Sequence, residues 1–167
     1  MQKPMTRATS LLGLAAMAAA ALATTRRSAA AEAAPRAFEI ALSDDAWRKR
    51  LTTDQFAILR RAGTEAPESS PLLREHRPGT FACAGCALAL FDGSTKFESG
   101  TGWPSFFRPL PKAVETATDT SLFGTRTEVH CRRCGGHLGH VFDDGPKPTG
   151  LRYCMNGAAL AFRPRGA

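Results

Sequence analysis

Two C-x-x-C pairs constrain this chain more than any other feature: Cys83 with Cys86, and Cys131 with Cys134. Two intervening residues let both sulfurs of a pair turn toward one ion, so two such pairs supply the four thiolates of a tetrahedral zinc site. The 44 residues between Cys86 and Cys131 exceed the spacing of a single zinc finger. A shared ion would therefore clip together two distant hairpins, closing a long loop and stabilising a small core. One disulfide within each pair is the rival assignment, above all in an exported protein. Such a disulfide is strained, and one structural Zn2+ accommodates all four sulfurs more economically. Four thiolates leave no open coordination position, which argues against a catalytic metal.

The chain has 167 residues, enough for one domain and an appendage. Lys3 and Arg7 precede an apolar run from Leu11 to Ala23, and no acidic residue appears before Glu32. That run is too short to span a bilayer as a helix. With the small residues Ala29-Ala30-Ala31 behind it, the pattern matches an export signal over residues 1–33, cleaved after Ala31 or Ala33. The expected product is a periplasmic or secreted domain over residues 34–167 with no membrane span. Arg26-Arg27 follow the apolar run, where a twin-arginine signal would need them before it. The Arg-, Ser- and Ala-rich stretch leaves an organelle transit peptide, such as a mitochondrial one, as the alternative.

Residues 1–32 carry four basic and one acidic residue, so without them the formal charge falls from +7 to +4. The remaining excess is scattered, and its Arg60-Arg61 and Arg132-Arg133 doublets are interspersed with acids. That is a solvated surface, not a nucleic-acid groove, so no nucleic-acid partner is expected. No phosphate loop or nucleotide fingerprint is present, and no organic cofactor is expected.

Ser43-Asp44-Asp45 reads as a capped helix start, and Thr53 to Leu59 as a second helix with Phe56 and Leu59 on one face. Gly63 is the expected terminator. Glu65 to Gly79 is polar and Pro-rich, the texture of a surface loop. Beyond Gly79, Thr80–Cys83, Leu88–Phe91, Glu128–Cys131 and Leu160–Phe162 are the strongest strand candidates. The expected fold is mainly β: a compact, antiparallel, barrel-like domain with short N-terminal helices and a four-cysteine zinc site on turns between strands.

The fifth cysteine, Cys154, has no cysteine left to pair with. Free cysteine is often simply buried, but Arg152 and Asn156 flank it at strand spacing and place a cation, a thiol and a polar donor on one face. Tyr153 and Met155 would face the other way. His137 and His140 follow the second cysteine pair and are surplus to a filled zinc shell, so a proton donor beside a reacting thiol is their better use. Trp103 sits on a glycine-flanked, Pro-stiffened turn, Gly100-Thr101-Gly102-Trp103-Pro104, a setting that suits a pocket wall as well as a core.

Three segments carry a resemblance: Lys96 to Phe106, with Gly100-x-Gly102-Trp103-Pro104-Ser105-Phe106; Gly136 to Pro146, with His137-Leu138-Gly139-His140-Val141-Phe142; and Pro148 to Asn156, with Arg152-Tyr153-Cys154-x-Asn156. The chain resembles the methionine sulfoxide reductase B family from about Ser43 to Phe162. The resemblance implies a β-rich, zinc-bearing domain that reduces the R-sulfoxide of methionine in proteins and peptides. It implies Cys154 as nucleophile, His137 and His140 at the sulfoxide oxygen, Asn156 orienting the site and Arg152 favouring the thiolate. Trp103, with Phe142 beside it, would receive the substrate's terminal methyl. A monomer is the expected working unit.

Two departures matter. Many relatives carry a second cysteine where this chain has Thr101, so regeneration is expected to come from an external thiol such as thioredoxin, a thioredoxin-like protein or a small thiol. Relatives also more often carry serines at Gly157-Ala158-Ala159, so a more mobile chain beside the nucleophile and a modest effect on rate are expected. A zinc-ribbon binding module is the rival class, but it leaves Cys154, the two histidines and the aromatic turn without a use. A zinc scaffold with a decayed site is opposed by the full set of Trp103, His137, His140, Cys154 and Asn156.

Overall fold

A computed structural model describes residues 37–120 and 124–166. The leader expected over residues 1–33 lies outside the described residues. Among those described, no helix is long and apolar enough to cross a membrane.

Helix α1 (Asp44–Arg50) begins where the Ser43 hydroxyl accepts a bond from the Ala46 amide, with Asp44 and Asp45 at its positive end. Helix α2 (Thr53–Arg61) opens on a capping box in which Thr52 and Gln55 satisfy each other's backbone amides. It runs two residues past the expected Leu59. Ala62, not Gly63, takes the left-handed cap at φ 51°, at a cost of about 1–2 kcal/mol. Phe56 and Leu59 are buried together as their spacing requires.

Among the described residues nine strands follow: β1 (Gly79–Cys83), β2 (Ala89–Asp92), β3 (Lys96–Phe97), β4 (Ser105–Phe106), β5 (Val114–Asp119), β6 (Arg126–Cys131), β7 (His137–Phe142), β8 (Arg152–Met155) and β9 (Leu160–Pro164). They form a three-stranded sheet in the order β2-β1-β9 and a six-stranded sheet in the order β3-β4-β8-β7-β6-β5, with every pairing antiparallel. The four expected strands correspond to β1, β2, β6 and β9, with Leu88 lying one residue before the start of β2.

Aromatic side chains join the sheets. Phe106 on β4 stacks on Phe91 of β2, with ring centroids 4.3 Å apart, and meets Phe81 of β1 edge-on at 4.9 Å. Phe81 also packs on Phe162, and Phe91 on Tyr153. Tyr153 and Met155 point into this core, which aims Cys154, between them, at the opposite face.

The segment from Glu65 to Gly79 is more than a surface loop. It contains a single-turn 3₁₀ helix (Pro71–Arg74) capped by Ser70, which is buried. Its first residue, Glu65, makes contacts that organise the neighbouring site.

Candidate active site and metal centre

The four paired cysteines converge at one end of the sheets. Cys83 ends β1 and Cys86 lies in the turn before β2, while Cys131 ends β6 and Cys134 lies in the turn before β7. Their sulfurs all lie within 4.8 Å of one another, and Cys83, Cys131 and Cys134 are buried. The Cys83–Cys134 and Cys86–Cys131 sulfur separations are 3.8 and 3.5 Å. A tetrahedral ion with metal–sulfur bonds of about 2.3 Å needs edges of about 3.8 Å, so the donor set fits one ion. Hydrogen bonding within the cluster, that with Cys131 first, pushes the Cys86 thiol below its usual range and pushes Cys83 and Cys134 above theirs. Helix α2 covers this end, and Arg60 donates to the Cys134 carbonyl at 2.9 Å.

Cys154 lies on β8 between β4 and β7, opposite Ser105 on one side and His140 on the other. The close approach of β7 depends on Gly139: a Cβ there would sit 2.1 Å from the Cys154 carbonyl oxygen. Half-buried, Cys154 opens on a cavity of about 120 Å3 lined by Thr64, Trp103, Arg126, Gly139, His140, Phe142 and Asn156. Trp103 and Phe142 are its aromatic lining; His140, whose ring centroid lies 6.5 Å from that of Phe142, and Asn156 are polar lining residues. Trp103 is half-buried, as a lining residue should be.

The remaining site candidates stand just behind this cavity. Arg152 makes a two-bond ion pair with Asp144, each bond 2.8 Å, and its guanidinium lies 4.4 Å over the Phe142 ring. The Asp144 bond, and behind it attraction to Cys154, hold the guanidinium above its usual range. The same bond holds the Asp144 carboxyl below its own range. His137 is absent from the cavity lining and packs edge-on against His140, with ring centroids 5.4 Å apart. Both histidines line a second cavity, of about 500 Å3, with Thr64 and Arg126 shared between the two.

Each histidine is paired with a carboxylate that the sequence motifs did not single out. His137 Nδ1 lies 2.7 Å from Glu128 Oε1, and His140 Nε2 lies 2.7 Å from Asp119 Oδ2. Asp119 also accepts from Arg126 at 2.7 Å. Such partners fix the tautomer and the ring plane. Burial pushes the His137 imidazole down, against the pull of Glu128, so it favours the neutral form. Alternation of charge along β6, with Arg126 and Glu128 on one face, is the signal that could have found two of these residues.

Beside the sulfur, Thr101 Oγ1 lies 3.7 Å from Cys154 Sγ and 2.8 Å from Ser99 Oγ. Ser99 in turn contacts Ser105 at 2.7 Å, and Ser105 donates to the Trp103 carbonyl. The position that could hold a partner thiol thus carries a hydroxyl built into a chain of hydroxyls.

Gly157 is not a loose link. It is buried, Glu65 Oε1 accepts its amide at 2.5 Å, and a Cβ on it would meet Ser70 Oγ at 1.9 Å. This overturns the expectation of extra mobility there: the absent side chain leaves room for Ser70.

The SelR domain family matches residues 51–164. The chain belongs to the methionine sulfoxide reductase B family. Membership places it among oxidoreductases. The curated protein named peptide methionine sulfoxide reductase MsrB from Leifsonia xyli subsp. xyli is 55% identical over 129 residues, covering 76% of this chain and 93% of that one. The protein of the same name from Leptospira interrogans is 50% identical over 127 residues, covering 75% and 97%. Among solved structures, the Mis18 'Yippee-like' domain covers 55% of this chain and 100% of its own at 19% identity and a TM-score of 0.45, too distant to bear on fold or chemistry.

Gly157→Ala is expected to destabilise the domain by about 1–3 kcal/mol through overpacking against Ser70. Adding Ser70→Gly should recover most of that loss. Urea unfolding of the two single variants and the double variant measures the coupling, and additive losses would refute the contact.

Proposed function

We propose that this chain reduces the R-sulfoxide of methionine residues in proteins, with Cys154 as nucleophile. The observation that carries the reading is the cavity on the Cys154 face. At about 120 Å3 it is far smaller than the roughly 300–1,000 Å3 of a site for a drug-sized ligand, and it suits one side chain. Its aromatic residues, Trp103 and Phe142, take a thioether methyl, and His140 and Asn156 take a polar oxygen. Family membership and the three sequence motifs support the same chemistry.

In this mechanism the Cys154 thiolate attacks the sulfoxide sulfur, and the sulfoxide oxygen takes a proton from the His140 side. The sulfur–oxygen bond of the substrate breaks and the oxygen passes to Cys154. Two electrons leave the cysteine sulfur, giving methionine and a Cys154 sulfenic acid. Asp119 holds the His140 ring for the transfer. His137 and its Glu128 partner support that ring from behind, and Arg152 favours the thiolate electrostatically. Trp103 and Phe142 select the epimer by shape, since exchanging oxygen and methyl would put the oxygen on the aromatic residues.

An external thiol then attacks the sulfenic sulfur and releases water, and a second thiol of the reductant cleaves the mixed disulfide. Thioredoxin or a thioredoxin-like dithiol suits this step, because Thr101 offers no thiol and the other four cysteines are gathered in the metal centre. Cys83, Cys86, Cys131 and Cys134 would hold one Zn2+. It would supply structure alone, neutralising four clustered thiolates and tying the two turns together.

The parent protein is expected to reduce R- but not S-methionine sulfoxide peptides with excess dithiothreitol, and Cys154→Ser to lose at least about a thousandfold in kcat/KM. Activity on the S epimer, or survival of activity in the variant, would contradict the reading. Metal analysis should give one zinc per chain, and stripping it should lower the thermal midpoint whether or not substrate is present. An unchanged midpoint after complete removal would exclude the structural role.

A further inference from the structure

Glu65 bonds to two residues that line the Cys154 cavity, Trp103 and Asn156, without lining it itself. Its carbonyl accepts from Trp103 Nε1 at 3.2 Å, and its amide donates to Asn156 Oδ1 at 3.0 Å. Its carboxylate accepts from the Gly157 amide at 2.5 Å and from the Ala158 amide at 2.9 Å. Those two amides open the short 3₁₀ turn Gly157–Ala159 that follows Asn156, which makes no side-chain cap of its own. A carboxylate is the strongest cap for such free donors. Asn156 is also tied from the far side, its Nδ2 and its amide both donating to the Leu138 carbonyl, at 3.1 and 2.8 Å.

We propose that Glu65 is a positioning residue for the reduction, setting the separation of Trp103 and Asn156 at the cavity by clamping the chain behind Asn156. This rests on the reductase reading above. The geometry gives the residue a task that a plain turn cap would lack. Its main chain fixes both the Trp103 indole and the Asn156 side-chain amide. Its side chain decides where Asn156 stands, because it holds the two residues immediately after it. Small displacements matter here, since about 1 Å of misplacement costs on the order of a hundredfold in a reaction that depends on orientation. Cys154 itself, on β8 between β4 and β7, is held by ladder bonds that Glu65 does not contribute to.

Glu65→Gln tests the proposal. It keeps the size and replaces one acceptor oxygen with an amide donor, which leaves Gly157 or Ala158 facing a second N–H. Glu65→Asp keeps the charge but falls one methylene short of the two amides. Both variants should lose about tenfold or more in kcat/KM on an R-methionine sulfoxide peptide. Alkylation of Cys154 by iodoacetamide, followed by mass spectrometry of the Cys154 peptide, should stay within about twofold of the parent. The emission of Trp103, read in a Trp47→Phe background, should shift. Either variant suffices if the other does not fold. Unchanged kcat/KM, or a loss matched by an equal loss of alkylation rate, would overturn the positioning role. Failure of the parent itself to reduce the R epimer would instead remove the reductase reading, so the two failures are distinguishable.

Discussion

Four sulfurs within 4.8 Å of one another are the constraint on which the rest of this domain depends. The turns that carry them belong to different sheets, β1-β2 in one and β6-β7 in the other. Among the described residues no strand pairing joins those two hairpins directly, and the sheets meet at the sulfur cluster and at the aromatic layer of Phe81, Phe91 and Phe106. The entropic cost of closing a long loop grows only logarithmically with its length, which makes a distant clip an economical staple for a small β core. Helix α2 depends on it as well: Arg60 bonds to the Cys134 carbonyl, and Leu59 lies against Gly136. From that anchored end β7 carries His137 and His140 directly to the strand that bears Cys154.

The chemistry follows from how β8 is read on its two faces. Tyr153 and Met155 are spent on the core, which leaves Cys154 facing outward between His140 and Ser105. Polar groups around the cavity are supported in layers: Asp119 holds His140 and is itself held by Arg126, and Glu128 holds His137. A buried imidazole with no such partner would be free to turn, and the proton would have no defined place from which to leave. The aromatic side is tied as well, since the Trp103 indole donates to the Glu65 carbonyl.

Much of this was legible in the sequence because it is local. The cysteine pairs, the lone Cys154, the two histidines and the Trp103 turn are short motifs whose spacing states their chemistry, and the structure brings Trp103, His140, Phe142, Cys154 and Asn156 to one cavity. What could not be read is long-range. Glu65 reaches Asn156 across 91 positions and looked like the start of a polar loop. Asp119 ends a strand, Val114–Asp119, whose composition carries little apolar alternation. The left-handed position that closes α2 falls to Ala62, whereas the sequence points to the neighbouring Gly63. Gly157 looked like a source of mobility, whereas its missing side chain makes room for Ser70, contributed by a distant loop.

The central claim is that Cys154 reacts alone while the other four cysteines stay tied to structure. The most direct test is a single turnover with R-methionine sulfoxide peptide and no added thiol, followed by intact and peptide mass spectrometry. The predicted result is one methionine formed per chain, a gain of one oxygen on the intact chain, a sulfenic-acid reagent adduct located on the Cys154 peptide, and no internal disulfide. A loss of two hydrogens linking Cys154 to Cys83, Cys86, Cys131 or Cys134 would contradict it.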